Sequence, residues 1–238
     1  MKIASLVALL VLLVTGTAFA SSCVTNTYDN YVGPPSISCT IVATPPGDVK
    51  TFSNFSYSTS GTNHMPADQI TANPIAFPFV AGFLFNAPWS ASTNQSQDSM
   101  IGFTVTLTSG SALINNLSLL MFGAGAFGTG SATVSETYCL GDTLSDGCAH
   151  GTMGTLNTFL QGNGSSKLID TVHFAGVSEV DVMKDIMVRG GENGFAVLSG
   201  VENQISEDAP PASEPGSLAI LGSGLISLAG LLGKRLFA

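Results

Sequence analysis

Ile101, Phe103, Val105 and Leu107 alternate with Gly102, Thr104 and Thr106, so an extended chain here shows one apolar face and one polar face. Segments 113–122, 132–140, 168–174, 180–188 and 195–201 repeat this period of two, separated by the glycine-rich stretches 123–130, 162–164 and 190–191. No long stretch carries a 3.6-residue period. The pattern predicts an all-β domain, an antiparallel β-sandwich or jelly-roll, because an α/β enzyme fold would place helices between its strands. Segment 152–160 fits either a strand or a short helix. Region 59–94 is less regular, since Pro66, Pro74, Pro78 and Pro88 interrupt it and proline favours edge strands and long loops. Its aromatic residues, Phe77, Phe79, Phe83, Phe85 and Trp89, read as core, with an exposed sugar-stacking platform as the alternative.

The two ends break this pattern. Lys2, an apolar run over 3–14 and Ala18-Phe19-Ala20 form a secretory signal peptide with an Ala-x-Ala site cut after Ala20. The apolar core is short of the ~20 residues a stable span needs. At the other end, 206–216 is acidic and proline-rich, a composition that neither joins a sheet nor buries apolar surface. Residues 217–233 are apolar and small, near the lower limit for crossing a bilayer, and Lys234-Arg235 fixes their C-terminal side in the cytoplasm. The expected organisation is therefore a signal peptide (1–20) with a signal helix, an extracellular β-sandwich domain (21–205), a linker (206–216), and a C-terminal transmembrane helix with a basic tail (217–238).

The order Ser213-Glu214-Pro215, apolar span and Lys234-Arg235 resembles the PEP-CTERM sorting signal, with Ser213 where that family has its first proline. The resemblance covers about the last 25 residues. It implies an exported protein of a Gram-negative, exopolysaccharide-producing bacterium. Such a protein would pass signal peptidase and the export machinery, be held transiently in the inner membrane, and be processed by an exosortase-like membrane enzyme on its way to the cell surface or matrix.

Composition agrees with export. Charged residues make up 10% of the chain, so small neutral polar groups must cover most of the surface. Within 21–205 the only cations are Lys50, Lys167, Lys184 and Arg189, against thirteen of the chain's 16 acidic residues. That balance excludes a basic patch for nucleic acid and disfavours anionic membrane surfaces. Export places Cys23, Cys39, Cys139 and Cys148 in an oxidising compartment, and of the three possible pairings the two local ones, Cys23 with Cys39 and Cys139 with Cys148, are expected. Zinc is the competing use, but no Cys-x-x-Cys spacing is present.

Candidate chemistry is sparse. No Gly-x-Ser-x-Gly elbow accompanies His64, His150 or His173, and Asp170 and His173 lie three apart on a strand and so face opposite ways. Glu136, Asp170, Glu179, Asp181, Asp185 and Glu192 could supply the paired carboxylates of a glycosidase. Asp181 and Asp185, however, share the face opposite Val180, Val182, Lys184, Ile186 and Val188 and read as solvated. Asp142 and Asp146 in the Cys139–Cys148 loop could contribute to a calcium site, although no calcium-loop signature is present. The run 123–128 matches Gly-x-Gly-x-x-Gly but follows a strand without opening a helix, which is a flexible turn rather than a nucleotide loop. No catalytic residue, metal site or cofactor is assigned. The reading is a non-catalytic surface or matrix protein with extracellular polysaccharide as candidate partner; the alternative is a secreted hydrolase of matrix glycans.

Overall fold

The computed structural model describes residues 21–34, 37–43, 48–110 and 112–207. The alternating segments build two sheets. The first runs β1 (Ser21–Ser22), β3 (Cys39–Val42), β4 (Val49–Gly61), β7 (Ser96–Ser109), β14 (Glu179–Arg189), β10 (Ser131–Leu140), β11 (Thr152–Gln161) and β12 (Ser166–Lys167). The second runs β13 (Ile169–Val177), β8 (Ile114–Phe122), β15 (Phe195–Glu207), β6 (Val80–Ala91), β5 (Thr71–Phe77) and β2 (Asn26–Thr27), with β9 (Gly125–Phe127) also paired to β15. All pairings are antiparallel except β1 with β3. The result is a β-sandwich, as the period of two requires, and 152–160 is a strand. A short helix α1 (Asp29–Val32) is the one α-helix among the described residues. No helix among them is long and apolar enough to cross a membrane. The signal and transmembrane helices, Ala18 and Ala20, Ser213-Glu214-Pro215 and Lys234-Arg235 all lie outside the described residues.

The inner faces meet over an aromatic core. Ile101, Phe103 and Val105 of β7 face Phe83 and Phe85 of β6, all essentially inaccessible, with Phe52 and Phe55 of β4 packed at ring-centroid separations of 5.1 to 6.0 Å. Helix α1 and the residue before it bring Tyr31 and Tyr28 into this cluster, and the buried Tyr28 hydroxyl donates to the Gly102 carbonyl at 2.9 Å. Burial raises that hydroxyl's pKa.

Region 59–94 departs from expectation. It contains β5 and β6, and β6 is an interior strand carrying the fully buried Phe83, Phe85 and Trp89. The prolines are accommodated one by one. Pro88 sits where the β6–β15 register skips between Leu198 and Gly200, so no ladder donor is lost. Pro74 lies on β5 beyond the short stretch that β2 pairs. Pro78 opens the two-residue β5–β6 turn, followed by Phe79 at φ 62°, a left-handed position that turns usually give to Gly or Asn. The linker boundary also moves. Ser206 and Glu207 belong to β15 rather than to the linker, because the Glu207 carboxylate is drawn inside to pair with Lys50.

Two ion pairs are fully buried between the sheets. Lys184 of β14 lies 3.1 Å from Glu136 Oε2 of β10 and donates to Asn203 Oδ1 of β15 at 3.2 Å. The Asn203 amide donates in turn to both Glu136 oxygens, at 3.1 and 3.0 Å. The ammonium also sits 4.3 Å from the Phe103 ring centroid. Burial pushes the Glu136 pKa up and the Lys184 pKa down, and their mutual attraction opposes both shifts. The second pair, Lys50 with Glu207, closes the end of the sandwich at which β15 leaves it.

Candidate functional site

The outward face of the first sheet carries the polar half of each alternation. The β4–β7 register shifts between Ser53 and Ser56, and Asn54 within that bulge takes φ 53°. Its amide donates to Thr104 Oγ1 at 3.1 Å; Thr104 donates to Asp181 Oδ1 at 3.0 Å; and Asp181 Oδ2 accepts the Leu144 backbone N–H at 2.8 Å. Asp181 thus ties the loop between β10 and β11 to the sheet, and the Cys139–Cys148 disulfide holds the same loop closed. Bulge and loop border a cavity of about 460 Å³ lined by Asn54, Ser56, Thr104, Thr143, Ser145 and Asp181, with Leu144 and Met183 supplying an apolar surface. Gly102 leaves the room: a Cβ there would lie 2.5 Å from Ser56 Oγ and 2.9 Å from Met183 Cε. Neutral hydroxyl and amide groups, one carboxylate and a thioether suit a hydroxyl-rich, uncharged ligand.

The carboxylates named from the sequence are dispersed. Glu136 is consumed by the buried pair with Lys184, so it is not a surface acid. Asp170 pairs with Lys167 at 2.8 Å and accepts the Asn157 backbone N–H at 2.8 Å, bridging the two sheets. Burial pushes its carboxyl up, but Lys167 and the backbone donors outweigh this and hold it below the ordinary range. Glu179 accepts from Thr106 Oγ1 at 3.3 Å, and Glu192 is exposed in the β14–β15 turn. Asp185 and Asp98 meet across β14 and β7 on the outward face. Burial, then the hydrogen bond and charge of Asp98, raise Asp185 to about 6, against the pull of Arg189.

Asp142 accepts the His150 backbone N–H at 2.8 Å, and that bond, with one from Thr143, lowers its pKa. Asp142 thereby turns its carboxylate onto its own loop. Among the described residues, no three His, Cys, Asp or Glu side chains form a group that could hold a metal ion. His64, His150 and His173 lie apart, and His173 meets Asn116 on the outward face of the second sheet. Both local disulfides form, Cys23 with Cys39 and Cys139 with Cys148.

The sequence reading missed Phe127 and Phe195. Both are exposed, at 66% and 49%, and they stack across β9 and β15 with centroids 6.0 Å apart and ring planes 23° from parallel. The available signal was phase: Phe195 and Val197 fall on the polar beat of a strand whose apolar beat is Ala196 and Leu198. Nor is the run 123–130 a free turn. It contains β9, and a Cβ at Gly128 would lie 2.1 Å from the Asn193 carbonyl oxygen.

No family model matches the chain, and no curated protein matches it. Among solved structures, the chain is similar to TmCBM61 in complex with β-1,4-galactotriose, at 9% identity and a TM-score of 0.32, covering 62% of this chain and 86% of that one. It is also similar to the enzymatically active domain of bacteriophage CBA120 tailspike protein 4, at 13% identity and a TM-score of 0.26. That match covers 63% of this chain and 19% of the tailspike chain. At these scores the chemistry of the site rests on this chain's own residues.

Proposed function

We propose that this chain is the precursor of a non-catalytic surface or extracellular-matrix protein of an exopolysaccharide-producing bacterium, sorted by an exosortase-like membrane enzyme. One observation carries the reading: a disulfide-closed sandwich ends at Glu207, and Ser213-Glu214-Pro215, the apolar span and Lys234-Arg235 follow it directly. The disulfides place the folded chain in a periplasmic or extracellular compartment. The sparsely charged, hydroxyl-rich surface, with its open groove beside Asp181, supports a polysaccharide partner. A hydrolase would need two carboxylates flanking a cleft, whereas of the acids that meet here Asp98 and Asp185 lie on an outward sheet face and Asp48 and Glu207 are buried beside Lys50.

The test follows the chain through export with and without the sorting enzyme. In a host that has the enzyme, mass spectrometry of the released protein should show Ser21 at its start and no residues 217–238. Without the enzyme, the precursor should stay in the inner membrane. Replacing both Lys234 and Arg235 by Ala should mislocalise the precursor, because its weak apolar span then loses its cytoplasmic stop. Release of the trimmed domain from a host lacking the enzyme, or normal sorting of the double variant, would sink the reading.

A further inference from the structure

We infer that Phe127 and Phe195 form a stacking platform for a neutral polysaccharide at the glycine-built end of the sandwich. The reading of a matrix protein supplies the source of such a ligand; the site itself is argued from its geometry. Both rings project from the outward face of the second sheet, where the alternation of β15 should place polar groups, and packing within the fold does not account for them. An exposed aromatic pair costs solvation and serves no core, so a ligand face is the use it fits.

The surroundings select the ligand. Immediately after Phe127, a cavity of about 280 Å³ is lined by Gly128, Thr129, Ser131, Gln161, Gly162 and Asn163, none of them charged. Arg189, paired in register with Ser131, and Glu192, in the adjoining turn, flank it with opposite signs. The Phe127 backbone borders this cavity, 2.8 Å from where a Gly162 Cβ would lie, so an apolar ring pair and neutral hydroxyl and amide groups share one end of the sandwich and together complement a pyranose, which presents C–H on its faces and hydroxyls around its rim. A lipid partner would leave those polar groups unpaired on docking. The acidic excess of the domain argues in addition against uronic-acid polymers, which its field would repel.

The platform is also pre-formed. Gly130 N–H donates to the Phe127 carbonyl at 3.0 Å, and Gly162 N–H donates to the Gly130 carbonyl at 2.9 Å. The Asn193 N–H reaches Thr129 Oγ1 at 2.9 Å, and Thr93 Oγ1 donates to the Gly194 carbonyl at 3.1 Å. Four turns are stitched together through glycines whose missing Cβ atoms let backbones touch, as at Gly194, where a Cβ would lie 2.2 Å from the Phe127 carbonyl oxygen. A ligand would meet a surface that needs little ordering.

The processed protein, recovered after export, should be run in native gels containing galactomannan, dextran or mixed-linkage β-glucan, with alginate as the acidic control. At least one neutral polymer should retard it and alginate should not. Phe127→Ala with Phe195→Ala should weaken retardation by about ten-fold, while Phe127→Trp with Phe195→Trp should preserve it. An unchanged thermal midpoint in the alanine variant would show that the fold is intact, as expected for exposed rings. Asn163→Ala, which leaves the rings in place, should weaken retardation by a smaller factor. The proposal is overturned if no neutral polymer retards the protein, if the alanine variant is retarded equally, or if alginate is preferred. It is also overturned if sedimentation shows a dimer that the alanine variant alone dissociates, since a second copy would then cover the rings. Failure here leaves sorting untouched, and failed sorting leaves gel retardation intact, so the two readings fall separately.

Discussion

At Lys184 the sequence pattern and the structure meet most directly. Its place on the apolar beat of β14 puts an ammonium inside the sandwich, where only a charged or strongly polar partner can hold it. Glu136 stands on the apolar beat of β10 for the same reason, and Asn203 of β15 joins both across the sheets. Removing one partner strands the other, so Lys184→Met should destabilise the protein by about 3 to 5 kcal/mol in urea denaturation. Adding Glu136→Leu to that variant should recover most of the loss. If the double variant is no more stable than the single one, the pair is not what the single substitution breaks. Asp185 makes a different prediction. Its folded pKa of about 6 lies above the ordinary aspartate value, so the folded state holds its proton more tightly than the unfolded chain does. Its contribution to stability is therefore gained as pH falls from about 6 to about 4 and lost as pH rises through the same window. Denaturation midpoints of wild type and Asp185→Asn across that range should diverge as pH rises, with the variant the more stable at pH 7. Parallel profiles would remove Asp185 from the account.

Among the elements, the loop between β10 and β11 is held at three points: the Cys139–Cys148 disulfide, Asp181 beneath Leu144, and Asp142 on His150. The disulfide closes a short loop, so replacing both cysteines by Ser should cost about 2 to 3 kcal/mol at equilibrium and should loosen the groove beside Asp181. Hydrogen exchange at Leu144 should quicken in the variant, and unchanged exchange would mean that Asp181 alone holds the loop. Most of these elements were legible beforehand. β7, β8, β10, β14 and β15 announce themselves by alternation, and both disulfides by proximity. What the sequence concealed had physical causes. Pro88 looks like a strand breaker until a register skip opposite it removes the need for its N–H. The short strands β1, β2 and β12 carry two residues each, too few for a period to show. The groove at Asp181 depends on a bulge and a loop that meet only after β4, β7 and β14 pair, so no local pattern could indicate it.

Across the whole molecule, the burial of Lys50 and Lys184 removes half of the described domain's cations from its surface, leaving Lys167 and Arg189 among the described residues. An enzyme that cleaves after lysine or arginine must draw its target backbone into an extended, accessible conformation. Two of the four candidate bonds here follow side chains sealed inside the sandwich, whereas Lys167 and Arg189 are exposed. Trypsin digestion of the native protein should therefore release fragments ending at Lys167 and Arg189 before any cut at Lys50 or Lys184; early cleavage at either buried lysine would contradict this. A periplasmic or extracellular protein gains durability against proteases from such an arrangement. The same buried lysines whose partners Asn203 and Glu207 reach across from the other sheet also withdraw the bonds at which digestion would begin.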